Sequence, residues 1–382
     1  MHLADLTLFF APHSGGVKRY LLAKHRFLAR QDEVRHSLLV PGAATAQIEP
    51  GIYQIAATRI PYGGGYRIPF AGWRWSRKLR DLAPDVIEVG DPYHLGWFAL
   101  GAADDIGAAT VAFVHSDLPR MLALRFGRSI GRVADAYVRR FYARFDLVMA
   151  PSKLIARRLR SAGVERAVVQ PLGVDGDCFH PSRRDPGLRA ELCLPADTRL
   201  LVFAGRLARE KQIPLLLDTF GALGQPYHLL LIGGEERKRL ADNVTLLPYE
   251  QDSVRLARRI ASADALVHAG VHETFGMIVI EAMACGIPVI GLRAGAVAEL
   301  IDDRVGALCD PDKPAALREA IAALYERDLA AMGAAARARI EKRYTWASAF
   351  GQQLDRYARL SHRMPIVDAD VDVDLETADA AG

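Results

Sequence analysis

The sequence predicts an α/β protein made of two parallel-sheet domains. Three observations carry this. Short apolar strands alternate with amphipathic helices along most of the chain, the rhythm of parallel sheets. Residues 173–199, with Asp175, Gly176, Asp177, Pro181, Asp185 and Pro186, interrupt that rhythm with turn formers and read as a linker. The chain has 382 residues, 51% of them hydrophobic, which is enough for two cores.

Taken in order, the first set of strands is expected at Leu6–Phe10, His36–Val40, Val86–Val89, Thr110–Val114 and Leu147–Ala150. Each is a short apolar run bounded by loop residues. The second set is clearer: Leu200–Ala204, His228–Ile232, Val244–Leu247, Ala265–His268 and Pro288–Gly291. Helices fall between them, among them Val17–Arg30 and Ile213–Leu223, where apolar residues recur at helical spacing. The division is therefore 1–172 for the first domain and 180–344 for the second. Residues 361–382 form a tail in which acids alternate with small apolar residues from Val367 to Asp374. An edge strand or a cation site is conceivable there, but a disordered acidic tail is the simpler expectation.

The formal net charge of +4 hides an asymmetry. Residues 1–180 hold 24 Lys/Arg against 16 Asp/Glu, whereas residues 361–382 hold one Arg against six acids. A basic first half suits an anionic partner. Cys178, Cys193, Cys285 and Cys309 are widely spaced, without metal-ligand or disulfide-framework spacing, so a reduced cytoplasmic setting is expected. No apolar run reaches the roughly 18–20 residues of a membrane span, and the N-terminus reads as a strand rather than a signal peptide.

Four strand-end segments could carry chemistry. After strand Ala265–His268 comes Gly270-Val271-His272-Glu273-Thr274-Phe275-Gly276, then a helix bearing Glu281. A loop leading into a helix N-terminus offers backbone N–H groups and a positive dipole end to a pyrophosphate, and Gly276 permits close approach. Glu281 sits among apolar residues, and a buried carboxylate there needs hydroxyl partners such as a ribose; a solvent-facing Glu is the plain alternative. After strand Leu200–Ala204, Gly205-Arg206-Leu207-Ala208-Arg209-Glu210-Lys211 places two cations, Arg206 and Lys211, where they can converge on one diphosphate, unless the loop is merely solvated. Gly15 and Gly16, in Ser14-Gly15-Gly16-Val17, form a turn that can cradle phosphate or sugar. It lacks the Gly-x-Gly-x-x-Gly spacing of a dinucleotide site. His115-Ser116-Asp117 lies beyond a strand end, where open α/β sheets bind ligands, although a lone His is as often a packed one.

Residues 66–80 join basic and aromatic side chains. Arg74, Arg77, Lys78 and Arg80 lie beside Phe70, Trp73 and Trp75, and helical spacing puts the first three on one face. This fits an interfacial anchor for an anionic membrane or lipid acceptor; a solvated face over buried tryptophans is the alternative. Residues 120–144 hold seven arginines and one acid, Asp135, a second patch that anionic headgroups would attract. Nucleic acid is not expected, since no nucleic-acid module is present.

The segment from Glu273 to Glu281 resembles the Glu-x7-Glu motif of glycosyltransferase family 4. The resemblance spans about residues 1–360. It implies the GT-B fold: two Rossmann-like domains facing a central cleft, with the last helix, about 345–360, crossing back to the first domain. It implies a retaining transfer of a hexosyl group, mannose or glucose, from a GDP- or UDP-sugar to a lipid-linked or cell-envelope glycan. By resemblance Glu273 contacts the donor sugar and Glu281 the ribose, while the Phe275 and Gly276 amides hold the diphosphate. Arg206 and Lys211 then match the family's Gly-Arg…Lys element, and His115 its catalytic-region histidine. Gly15 and Gly16 match the loop that closes on the donor, and Gly205 and Gly233 belong to glycine turns near the nucleotide. Ser152, Gly173-Val174-Asp175 and Phe179 are supporting matches. Gly295-Ala296-Val297-Ala298-Glu299 departs from the family's Gly-Gly…Pro-Glu pattern. Phosphatidylinositol mannosyltransferases of the family carry a similar basic helix, which favours peripheral association with the inner face of the cell membrane. No metal or other cofactor is expected, because cations replace the metal; the Asp-x-Asp pairs of the tail are not read as a metal motif. A UDP-sugar 2-epimerase of the same fold and a non-catalytic binding module are the rival readings.

Overall fold

The computed structural model describes residues 1–11, 15–61, 64–311, 313, 315–364 and 366. Ser14 of the glycine turn and the acidic alternation of 367–374 lie outside them. The chain divides into two compact units: residues 1–171 together with the chain from Phe350, and Leu172–Ala349.

The first unit runs β1 (His2–Leu6), α1 (Gly16–Leu28), β2 (Arg35–Gly42), β3 (Ala46–Glu49), β4 (Ile52–Ala56), β5 (Thr58–Arg59), β6 (Arg67–Ile68), α2 (Trp73–Leu82), β7 (Val86–Val89), α3 (His94–Ile106), β8 (Ala109–Phe113), α4 (Leu118–Phe126), α5 (Arg128–Tyr142), β9 (Leu147–Ala150), α6 (Lys153–Ser161) and β10 (Ala167–Val169). Its main sheet has the order β10-β9-β8-β7-β1-β2-β4-β3. All pairs are parallel except β3 with β4. Chain order runs outward from β1 to β2 and β4, then restarts on its other side at β7. The β1/β7 junction is thus the topological switch point, where such sheets bind ligands beyond the carboxyl ends of their strands.

The second unit runs α7 (Leu188–Glu191), β11 (Arg199–Ala204), α8 (Ile213–Leu223), β12 (Tyr227–Gly234), β13 (Lys238–Ala241), β14 (Val244–Pro248), α9 (Ser253–Ala261), β15 (Ala265–His268), α10 (Met277–Ala284), β16 (Val289–Leu292), β17 (Gly306–Cys309), α11 (Ala316–Leu324) and α12 (Leu329–Arg343). Its sheet order is β13-β14-β12-β11-β15-β16-β17, and only β13 is antiparallel. By the same logic its switch point lies between β11 and β15. The final helix α13 (Trp346–Ser361) begins within the second unit's range and belongs to the first from Phe350.

Three expectations need correction. The first strand is His2–Leu6, not Leu6–Phe10. Asp5 is buried in this strand because it is paired: Lys24 Nζ lies 2.9 Å from Asp5 Oδ1 and His36 Nε2 3.0 Å from Oδ2. Burial raises the Asp5 pKa, and Lys24 first and then His36 outweigh it and bring it down to about 2. Residues 173–199 are not a free linker. Leu188 and Leu192 are buried, and Arg189 bonds Asp264 at 2.7 Å, which fixes α7 to the second unit. Trp75 does not face the surface with Trp73; it is fully buried, while Trp73 stays exposed.

The docking of α13 is polar as well as apolar. Lys24 Nζ reaches Asp5, Glu88 and the Tyr357 hydroxyl, each at 2.9 Å. Tyr357 also donates to Glu88, Gln353 meets Tyr20, and Arg356 donates to Gln170 at 2.8 Å. Buried charges persist only when paired in this way. Among the described residues no helix is long and apolar enough to cross a membrane.

Candidate active site

The switch point of the second sheet gathers the best-formed cluster. Strand β11 ends at Ala204, and the following loop carries Lys211 in a single 3-10 turn, Arg209–Lys211. Strand β15 ends at His268, and the following loop carries Glu273 into α10. Lys211 and Glu273 form an ion pair across the junction, each with a mostly buried side chain. His268 Nε2 stands 3.4 Å from the same Glu273 Oε1. The Gly270 backbone N–H donates to His268 Nδ1 at 3.2 Å. That makes Nδ1 an acceptor and leaves the ring proton on Nε2, aimed at Glu273. Burial pushes the Glu273 pKa up, but the His268 hydrogen bond and the Lys211 charge outweigh it and hold the carboxyl well below its usual range. Glu273 is therefore a fixed anion.

Glycines shape this corner. A Cβ on Gly270 would lie 2.7 Å from the His268 ring and 3.2 Å from Glu273 Oε1. Gly276 has φ +104 and heads α10, where the first turn's N–H groups have no partner within the helix. The Ala296 N–H donates to the Glu273 carbonyl at 3.0 Å, so the departed segment from Gly295 to Glu299 still braces the loop, with Glu299 itself exposed. Gly233 has a packing reason as well: its Cβ would sit 1.9 Å from the Gly205 carbonyl oxygen. Phe275 is buried and rings with Tyr344 at 6.1 Å, so only its backbone could serve a ligand.

Glu281 is not solvent-facing; at 1% exposure it lies inside α10 among Ile280, Ala282 and Met283. Arg206 does not join Lys211. Its side chain is 77% exposed and lies 3.8 Å from Glu210, where water solvates the guanidinium. His268 was not among the expected site residues. Its signal was a polar residue closing a buried strand two positions before a glycine.

In the first unit, Gly15 and Gly16 sit at the N-terminus of α1, beyond β1. His115 follows β8, stacked on Phe113 at 4.5 Å and edge-on to Tyr20 at 5.3 Å. Burial, then Lys24, push its pKa down to about 3. The ring is neutral at physiological pH and can offer hydrogen bonds but no charge. Asp91, beyond β7, was also missed. It spans the first switch point, accepting from the Leu8 N–H at 2.6 Å and the Thr7 hydroxyl at 3.3 Å. Burial raises its pKa to about 6 against those hydrogen bonds.

The supporting matches have structural duties. Ser152 caps α6 by accepting from the Ile155 N–H at 3.3 Å. A Cβ on Gly173 would meet the Thr345 carbonyl oxygen at 2.7 Å. Asp175 closes a turn on Asp177 and Cys178, and Phe179 is core. On α2 the basic face splits. Arg74 and Arg77 are exposed, Lys78 lies 4.0 Å over the Tyr53 ring, and Arg80 pairs with Asp105 at 2.8 Å. Phe70 and Trp73 are exposed beside them.

Two family models match the chain: Glycosyltransferase Family 4 over residues 14–177 and Glycosyl transferases group 1 over residues 186–343. The sequence is 33% identical over 371 residues to a GDP-mannose-dependent alpha-(1-6)-phosphatidylinositol dimannoside mannosyltransferase of Mycobacterium tuberculosis, covering 93% of this chain and 95% of that one. It is 31% identical to a GDP-mannose-dependent alpha-mannosyltransferase of Mycolicibacterium smegmatis, covering 82% and 85%. Sucrose-phosphate synthase from Thermosynechococcus elongatus superposes with a TM-score of 0.80 at 20% identity, covering 95% of this chain and 99% of that one. Anabaena HepE in complex with UDP and glucose gives 0.72 at 21%, covering 94% and 99%.

Proposed function

The chain belongs to glycosyltransferase family 4 and is a hexosyltransferase of the GT-B fold, and we propose that it moves mannose from GDP-mannose to a lipid-linked glycan with retention. The observation that carries this reading is the Lys211–Glu273 pair at the switch point of the second sheet, with His268 behind it. A fixed anion beside a cation and a helix N-terminus matches the needs of a sugar diphosphate. Glu273 accepts hydrogen bonds from donor hydroxyls and faces the positive charge that develops on the ring carbon. Lys211 and the Gly276 end of α10 take up the charge of the departing diphosphate, and Arg206 adds to them once it turns in from its exposed position beside Glu210. Such preorganised donors are each worth about 10²–10³ in turnover. Glu281 receives the ribose. In the first unit, the family resemblance assigns the neutral His115 imidazole to the transferred sugar and the Gly15-Gly16 turn to the donor. Because these cations meet the diphosphate charge, no metal or organic cofactor is required.

The mannose donor is favoured by relatives named as GDP-mannose-dependent, and the lipid acceptor by one whose name specifies phosphatidylinositol dimannoside. Nothing in these relatives favours the epimerase alternative. The exposed Arg74, Arg77, Phe70 and Trp73 of the α2 region support a contact with an anionic membrane, and with it a peripheral association with the inner membrane face. A donor screen tests the reading. GDP-mannose should be turned over in preference to GDP-glucose, UDP-glucose and UDP-mannose, and a mannolipid should appear by mass spectrometry when a phosphatidylinositol mannoside is added. Preferred turnover of a UDP-sugar would refute the donor assignment.

A further inference from the structure

The first unit contains a half-open cavity of ≈ 680 Å³ walled by α4, α5 and α6 and the loop after β8. Its size suits a drug-sized ligand or a single lipid chain with its headgroup. The interior is largely apolar, with Val114, Val138, Leu154 and Leu159 among its walls. Six arginines also line it: Arg120, Arg128, Arg132, Arg139, Arg157 and Arg158. Only two acids do, Asp117 and Asp135, and Arg158 already holds Asp117 at 2.6 Å. Two lining hydroxyls, those of Ser116 and Tyr142, are buried and have no hydrogen-bond partner among the described residues. Tyr142 is 2% exposed, and burial pushes its pKa far up, so it stays a donor in want of an acceptor.

The helices around the cavity are also built for an interface. Gly131 lets α5 cross α4 closely, since a Cβ there would lie 2.6 Å from that of Ala123. The hairpin leaves Leu124, Phe126, Ile130 and Val133 exposed next to the arginines. Large apolar side chains interleaved with cations are costly in water and suited to a headgroup layer.

We propose that this cavity binds one anionic membrane phospholipid, its phosphodiester at the arginines and one hydrocarbon chain inside, while the α4–α5 hairpin rests in the headgroups. The charge excess selects an anion, the apolar walls select a chain, and the Tyr142 and Ser116 hydroxyls supply donors to the ester or phosphate oxygens. The inference shares with the proposed function only the lipid environment. Its test contains no sugar nucleotide, so binding can fail while transfer stands, and the reverse.

The test is calorimetric titration of the full chain with monomeric dihexanoylphosphatidylglycerol, dihexanoylphosphatidylcholine and inorganic phosphate in separate runs. The glycerol lipid should bind at least about tenfold more tightly than the choline lipid or phosphate. Arg128, Arg132 and Arg139 changed together to Ser should weaken it about a hundredfold. These side chains are exposed, so the fold is not at stake. Tyr142→Phe should weaken it several-fold. Equal affinity for the two lipids, phosphate binding as tightly as the glycerol lipid, or unchanged binding by both variants would overturn the proposal.

Discussion

In the proposed transfer, Glu273 is the residue on which the chemistry turns. Its carboxylate is desolvated, yet Lys211 and His268 keep it ionised, so the site is charged before any donor arrives. Glu273→Gln keeps the shape and removes the charge. Turnover is expected to fall about 10²–10³-fold, with a cooperative unfolding transition retained at a somewhat lower melting temperature, since Lys211 loses its partner; steady-state kinetics beside thermal unfolding checks both. Gly270→Ala probes the second layer of the same site. A methyl 2.7 Å from the His268 ring must displace it, so the hydrogen bond to Glu273 is lost and kcat falls while donor KM changes little. An unaltered kcat would show that His268 has no part in positioning Glu273. Glu273 was legible in the sequence because it sits in a spaced motif. His268 and Asp91 were not, because their importance comes from what β11 and β1 place beside them.

At the scale of the element, α13 is held to the first unit by charge inside a core. Lys24 neutralises Asp5 and Glu88 and hydrogen-bonds Tyr357. Lys24→Met would bury two carboxylates without their cation, a loss of about 3–5 kcal/mol. Urea unfolding of the variant should move its midpoint down accordingly, and an unmoved midpoint would show the network to be dispensable. Tyr357→Phe removes one donor and should cost less, about 1–3 kcal/mol. From apolar periodicity the sequence showed β2, β7, β8 and β9 of the first unit, β11, β12, β14, β15 and β16 of the second, and helices α1 and α8; the short strands β3–β6, β10, β13 and β17 were not among those expected. It hid this network, since Lys24 at a helix position and Asp5 in a strand look like surface residues until their partners, 333 positions away in the case of Tyr357, are folded onto them. The same limit displaced the first strand and made α7 look like linker. On α2, periodicity placed Arg74 and Arg77 outward, but only packing shows that Trp75 turns inward and Lys78 lies on Tyr53.

The molecule as a whole carries buried neutral histidines in both units. Burial is the main cause that lowers His2 and His228 to about 4 and His115 to about 3. A histidine whose folded pKa lies below its unfolded value adds stability that is complete above about 6.5 and lost as pH falls toward the folded value. Asp91, raised to about 6, works the other way: its contribution is full below about 4 and fades as pH rises through 6. Burial lowers His36 as well and raises Glu88, so four histidines stand against two carboxyls; the melting temperature should drop between pH 7 and pH 5, and His228→Gln should lessen the drop. A flat profile would contradict this.

Both units of the molecule share one plan, a parallel sheet with polar groups gathered beyond its switch point, and the family's two halves match them in turn. That plan supports the proposal that the donor binds on the Glu273 side, and hexosyl transfer is the central claim. The direct measurement is mass spectrometry of GDP-mannose with a phosphatidylinositol mannoside acceptor, run with the parent chain, Glu273→Gln and Lys211→Ala. The parent should add one hexose to the lipid, and both variants should fold normally and form about 10²-fold less product or lower. Equal product from parent and variants, or an epimerised sugar nucleotide with no glycolipid, would contradict the account.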